Sequence, residues 1–255
     1  MRYWTANQIM KQLCSELGLP IQPSVVDSSS VQNMQLLAAL NSAGNSLNIV
    51  YPWEQFKQQW VFQTEDQVGE YPLPDDWKYF VDQTQWDRTN HWPLLGPKSP
   101  QEWAWLKGGL NATAPRMRYR VMNNKFCIWP IPSATTSNSA GNPNPGTFAP
   151  FEFAMEYVQG NWVLPTGLNS PTDMVTDDGD IVWYDPWLIM KYAKVKFYQL
   201  KQFDTTAVEA DFMLVFDALT GKDVGGGVLS LSPGYPPQFL GVWNVPDGSW
   251  NTGAP

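Results

Sequence analysis

Asp185-Pro186-Trp187-Leu188-Ile189-Met190-Lys191-Tyr192-Ala193-Lys194-Val195-Lys196-Phe197-Tyr198-Gln199-Leu200-Lys201-Gln202, followed at once by Phe203-Asp204-Thr205-Thr206-Ala207-Val208-Glu209, is the stretch on which the fold turns. Asp185 can cap the free N–H groups of a first turn, and Pro186 suits the first helical position, where its missing N–H costs nothing. The run predicts a helix from Pro186 to about Gln202. Thr206 with Glu209 reads as a capping box that opens a second helix to about Leu219. Gly221 fits the left-handed residue that ends a helix, with Gly225, Gly226 and Gly227 adding backbone freedom beyond it.

Both helices are more apolar than a one-sided surface helix. Leu188, Ile189, Tyr192, Val195, Phe197, Tyr198 and Leu200 cover well over half of the first, which leaves Lys191, Lys194 and Lys201 as its polar stripe. Such a helix is buried on more than one side. Val208, Phe212, Val215 and Leu219 form the matching face of the second.

Two further helices are expected at the other end of the chain. Thr5 can cap one through Ala6, Ile9, Leu13 and Leu17, ended by Gly18 and Pro20. Ser28–Ser30 offer caps for another through Met34, Leu37, Leu40, Ala43, Leu47 and Val50, weakened by Gly44; Pro52 either kinks it or begins a short continuation to about Gln59. Between the two pairs, from Trp60 to Trp183, the apolar period changes to two. Val61–Thr64 and Glu70–Leu73 read as a hairpin, and Arg116–Met122 with Lys125–Trp129 as another around Asn123-Asn124, a pair that tolerates positive φ. Phe151–Val158 and Trp162-Val163 add strands, for six to eight in all. Ser99, Pro100 and Glu102 mark the start of a short helix, and residues 133–150 form a long Pro/Gly/Asn-rich loop. The expected fold class is α+β: a helical bundle from residues 1–60 and 184–222, an antiparallel β domain at 61–183 inserted into it, and an extended tail at 223–255.

A chain of 255 residues buries a core without disulfides, and Cys14 and Cys127 sit in apolar-patterned segments as small hydrophobes. The N-terminal MRYWTANQIMKQL has no apolar stretch of signal-peptide length and no run approaches a membrane span, so a soluble protein made in a cytoplasm is expected. A net charge of −8 argues against gripping nucleic acid, because that affinity comes from Lys and Arg on phosphates. Fourteen Trp among only 16% charged residues point either to contact surfaces or to a Trp-rich β core.

Catalytic readings find no anchor. Asp177-Asp178-Gly179-Asp180 lacks the calcium-loop spacing and its distal Glu, and reads as a solvated turn. Glu65, Asp66, Asp75, Asp76 and Glu102 are carboxylates beside Trp residues, as a sugar cleft needs, but no spacing selects a pair. His91 is the one histidine and reads as a structural group in an aromatic loop. No catalytic residue, cofactor or metal is therefore expected. In the tail, Tyr235, Phe239, Leu240, Trp243 and Trp250 are apolar anchors between prolines and glycines, suited to docking into a groove on a partner or to a strap across their own subunit.

The order of parts resembles the head-to-tail adaptors of short-tailed phages, of the tail tubular protein A type. Two N-terminal helices end near Trp53–Trp60; a strand opens as Val61-Phe62-Gln63-Thr64 and another closes as Glu70-Tyr71-Pro72-Leu73-Pro74; Asp177-Asp178-Gly179-Asp180 leads to Tyr192–Leu200 and the helix from Thr206. The resemblance implies a virion protein at the head–tail interface, in a homo-oligomeric ring of twelve copies. Such a ring binds the portal protein above and the tail nozzle below, with tail fibres as further contacts, and DNA passes through without sequence-specific binding. On that reading Leu188, Tyr192, Val195, Phe212 and Val215 pack the ring, and the tail aromatics dock on the portal or a neighbour. The alternatives from the residues are a Trp-rich carbohydrate-binding or carbohydrate-cleaving module and a nozzle or fibre-attachment protein.

Overall fold

A computed structural model describes residues 3–21, 23–24, 26, 30–108, 116–133 and 148–223. The fold is α+β, with antiparallel sheets and five α-helices among these residues. Two compact units are present. One takes the described residues up to 58, together with 76–79 and those from 158; the other takes 59–75 and 80–157.

The helical unit is built around α4 (Pro186–Lys201), which packs against α1 (Ala6–Leu17), α2 (Val31–Val50) and α5 (Thr206–Asp223). The ends of α1 and α4 follow from local chemistry. Thr5 accepts from the Gln8 N–H while the Gln8 side chain accepts from the Thr5 N–H, and Gly18 closes α1 at φ 67°. Asp185 accepts from the N–H groups of Trp187 and Leu188, and Gln202 ends α4 in the left-handed region.

The start of α5 differs from expectation. Thr206 is not the cap: its N–H and hydroxyl both donate to Asp204 Oδ1, at 3.0 and 2.7 Å, and the first helical bond runs from Glu209 N–H to the Thr205 carbonyl. The Glu209 carboxylate instead accepts from Gln199. Gly221 does not end α5 either. The helix runs on to Asp223 because its last turn is held: the Tyr51 hydroxyl donates to the Thr220 carbonyl at 3.4 Å, and the Asp223 carboxylate accepts from the Glu54 N–H at 2.9 Å.

Past α2 the helix does not continue to Gln59. Tyr51 is extended, as a residue before proline prefers, and Trp53 donates its indole N–H to the Leu47 carbonyl. One 3₁₀ turn at Glu54–Phe56 then leads into β1 (Lys57–Gln63). The helical unit also contains the antiparallel pair β9 (Val163–Leu164) and β10 (Ile181–Val182), in a stretch read from sequence as part of the β domain. The reason is packing. Trp162 is fully buried, donates to Asn45 Oδ1 at 3.0 Å and lies flat on Gly44, where a Cβ would come within 2.3 Å of the ring. The Tyr184 hydroxyl donates to the Gly44 carbonyl. The glycine that weakens α2 by propensity is thus the space that admits an indole.

In the second unit, β8 (Glu152–Gln159) lies between β1 and β4 (Trp86–Asp87), with β5 (Trp92–Pro93) at the edge beyond β4. A separate sheet runs β2 (Glu70–Pro72), β7 (Lys125–Trp129), β6 (Arg118–Met122). The hairpin at Asn123-Asn124 forms as expected, both residues having positive φ. The hairpin expected between Val61–Thr64 and Glu70–Leu73 does not: β1 and β2 belong to different sheets, and Tyr71 pairs with Phe126. Its partner is chosen by the interior, where Phe126 is fully buried with the rings of Tyr119, Phe80, Trp60 and Phe62 centred 5.0, 5.7, 5.8 and 6.0 Å away. The remaining elements are β3 (Trp77–Phe80) and α3 (Pro100–Lys107), the latter opened by a capping box between Ser99 and Glu102.

Candidate assembly surface

Leu188, Val195 and Phe212, the helix residues expected to pack a ring, are buried inside the helical unit itself. Tyr192 and Val215 are half-buried, and the Tyr192 ring stacks on Phe212 at 4.4 Å. That stack joins α4 to α5 within one subunit. Lys191 lies 3.3 Å from Glu16 of α1 and 3.0 Å from Asp211 of α5, and Lys194 lies 3.2 Å from Glu16. Burial lowers the Lys191 pKa, but the hydrogen bonds and charges of Asp211 and Glu16 outweigh it and hold the ammonium above its usual range.

The large apolar groups left at the surface of this unit are different ones. Trp187, Leu200, Phe203, Met213 and Leu214 are exposed on and beside the α4–α5 hairpin, and Val31, Met34, Ile49 and Val50 on α2. Trp4 stands 6.1 Å from Trp187. It lines an open groove of about 650 Å³ with Gln8, Lys11, Gln12, Ser15 and Ile21. The sequence signal for the α2 group was present, since its apolar residues do not fit a single inner face. The tail candidates Tyr235, Phe239, Leu240, Trp243 and Trp250 lie outside the described residues, as does most of the 133–150 loop.

Two of the carboxylates considered for chemistry, Asp180 and Glu102, are occupied by structure. Asp180 is fully buried and is no solvated turn: its carboxylate accepts from the N–H groups of Thr166, Thr176 and Asp177 at 2.8–3.0 Å and from the Thr176 hydroxyl at 3.3 Å. Among the described residues no group of three or more His, Cys, Asp or Glu is placed to hold a metal ion. Glu102 is taken up by the α3 cap, and the Ser99 N–H, followed by Lys98, lowers its pKa. Cys14 and Cys127 are both buried and unbridged.

His91 is exposed at φ 58° on the turn after β4. Asp87 builds that turn, accepting from Thr89 N–H, Asn90 N–H and Asn90 Nδ2 at 2.8–3.1 Å. Burial raises the Asp87 pKa, and these donors partly offset it. His91 lines a groove of about 780 Å³ in the second unit with Trp86, Trp92, Gln83, Gln85 and Arg116, whose guanidinium sits 5.9 Å from the Trp92 ring centre.

Comparison with known proteins adds one finding. A search of curated proteins gives no match. The family model described as SU10 adaptor protein matches residues 5–178, more than half of the chain, from the α1 cap to the turn before β10. The helical surface with its unabsorbed apolar groups therefore sits on a chain that belongs to the SU10 adaptor protein family, a family of structural phage adaptors.

Proposed function

We propose that this adaptor is a non-enzymatic virion protein of the tail tubular protein A type, forming a ring of twelve copies between the portal protein and the tail nozzle, with tail fibres as possible neighbours. It assembles in the host cytoplasm and its ring continues the path of the packaged genome. The observation that carries this reading is the set of large apolar side chains at solvent on helices whose inner faces are already packed. A surface of that kind is stabilised by covering it, and assembly covers it. The net charge of −8 favours passage of DNA over adhesion to it. The tail aromatics are the proposed docking anchors on the portal or a neighbouring subunit.

Electron microscopy of the purified chain, alone and mixed with the portal protein of the same genome, tests the proposal. Added ring density at the narrow end of the portal is the expected result. A chain that adds no density to the portal overturns it. A second reading, carbohydrate binding, draws on the groove that holds Trp86, Trp92 and Arg116, because indole faces and a guanidinium suit sugar rings. Saturable change of Trp fluorescence on titration with host surface glycans supports that reading; a flat response removes it.

A further inference from the structure

Over its 20 residues α2 contains no charged side chain. On its outer side Val31, Met34, Ala38, Ser42 and Ile49 recur at spacings of three, four and seven, so all five project along one line of the helix. Val31, Met34 and Ile49 are 70%, 60% and 67% exposed, and Ala38 and Ser42 between them are exposed as well. The opposite side, with Leu36, Ala39, Leu40, Ala43 and Leu47, is fully buried. An isolated helix of this kind would be expected to place Lys or Glu toward water.

A second uncharged line runs down the outside of α5. Ala207, Ala210, Leu214, Ala218 and Gly221 are all exposed, Leu214 at 73%, with Asp211 and Asp217 at the two rims. The inner side of the same helix turns Phe212 and Phe216 inward, toward Tyr192 and toward Tyr51 and Trp53. Both α2 and α5 pack on α4.

We infer that the outer face of α2 in one copy is the docking site for the outer face of α5 in the next. The inference rests on the ring reading above and deepens it by naming the two faces. Three observations on the molecule select a second copy as the occupant. The faces match in length, 20 and 18 residues, hence each about 30 Å long. They match in relief: α2 is large at its ends and small at Ala38 and Ser42, whereas α5 is small at its ends and carries Leu214 in the middle. Neither line itself bears a charge, and of the two aspartates that border the α5 line Asp211 is paired with Lys191, in a chain whose net −8 makes copies repel one another elsewhere. Two different faces on one subunit make a head-to-tail contact, which closes into a ring when the rotation permits.

The area is informative too. A helix face of this length offers on the order of 300–500 Å² per partner, below the roughly 800 Å² of a standard stable interface. A single contact is therefore weak, and a subunit held on both sides in a closed ring is far more stable than a dimer.

The test uses Ala38→Glu on the α2 face and Leu214→Glu on the α5 face, both at solvent-exposed positions and both to a good helix former. Wild type, each variant and an equimolar mixture of the two variants are compared by sedimentation velocity over rising concentration, and again on the portal by electron microscopy; circular dichroism confirms folding. Each variant alone is expected to weaken self-association by about tenfold or more. The mixture is expected to form dimers that grow no further, because the intact α5 of one variant meets the intact α2 of the other and no further pair of intact faces remains. Variants that assemble like wild type, impairment of only one of them, or a mixture that never pairs overturns the inference while a wild-type ring on the portal leaves the adaptor reading standing. A wild-type chain that neither self-associates nor adds to the portal overturns both.

Discussion

Adjacent in sequence and similar in apolar content, α4 and α5 end in opposite situations. In α4, Leu188, Ile189, Met190, Ala193, Val195 and Phe197 are buried, and the helix is enclosed by three neighbours. In α5 only Phe212 is buried, and Met213 and Leu214 face water. Apolar content alone does not tell a core helix from an interface helix. The distinction lies in how many sides the rest of the subunit covers, and α5 carries apolar groups that the described residues leave exposed.

That contrast can be broken or sharpened by substitution. Ile189→Ala in the enclosed helix removes a fully buried side chain and is expected to cost about 3–4 kcal/mol, measured by urea unfolding of the whole chain. Phe212→Ala leaves a space that Tyr192 and solvent partly fill, so a loss of about 2–3 kcal/mol is expected in the same assay. Asp204→Ala strips the acceptor from the start of α5 and is expected to lower stability less than either core truncation, with faster amide exchange confined to the first turn of that helix. Leu214→Ala should change unfolding by no more than about 0.5 kcal/mol while weakening self-association, the signature of an outward-facing contact.

Alkaline titration addresses the seam between the two helices. Because the Lys191 pKa is raised in the folded state above the ordinary 10.5, its contribution is fully present below that ordinary value. It fades as pH climbs through the raised one, since the unfolded chain loses its proton first. Lys191→Met should flatten the stability curve in that window, and an unchanged curve would remove the ion cluster from the account.

What was legible in the sequence was local. The caps at Thr5, Ser99 and Asp185 each involve partners within three residues, and so did the Asn123-Asn124 turn. Two errors arose where the deciding partner was distant. Gly221 looked like a terminus because Tyr51 and Glu54, which hold the turn, are far away in the chain. The strand near Val61 was paired with its sequence neighbour because nothing near it announces that β8 is its partner. At Thr206 two hydroxyl-bearing residues and an aspartate compete within three positions, and the aspartate is the stronger acceptor. The candidate surface was half legible: apolar surplus in α4 and α5 was read as a need for packing partners. Leu188 and Val195, however, satisfy that need within the subunit, and the charge-free length of α2 was passed over.

The clamp on the last turn of α5 has a mechanical side. With Asp223 tied to the Glu54 N–H and Thr220 to Tyr51, the end of α5 is stapled to the segment that follows α2, so a load applied there is shared with that segment instead of peeling the last helical turn.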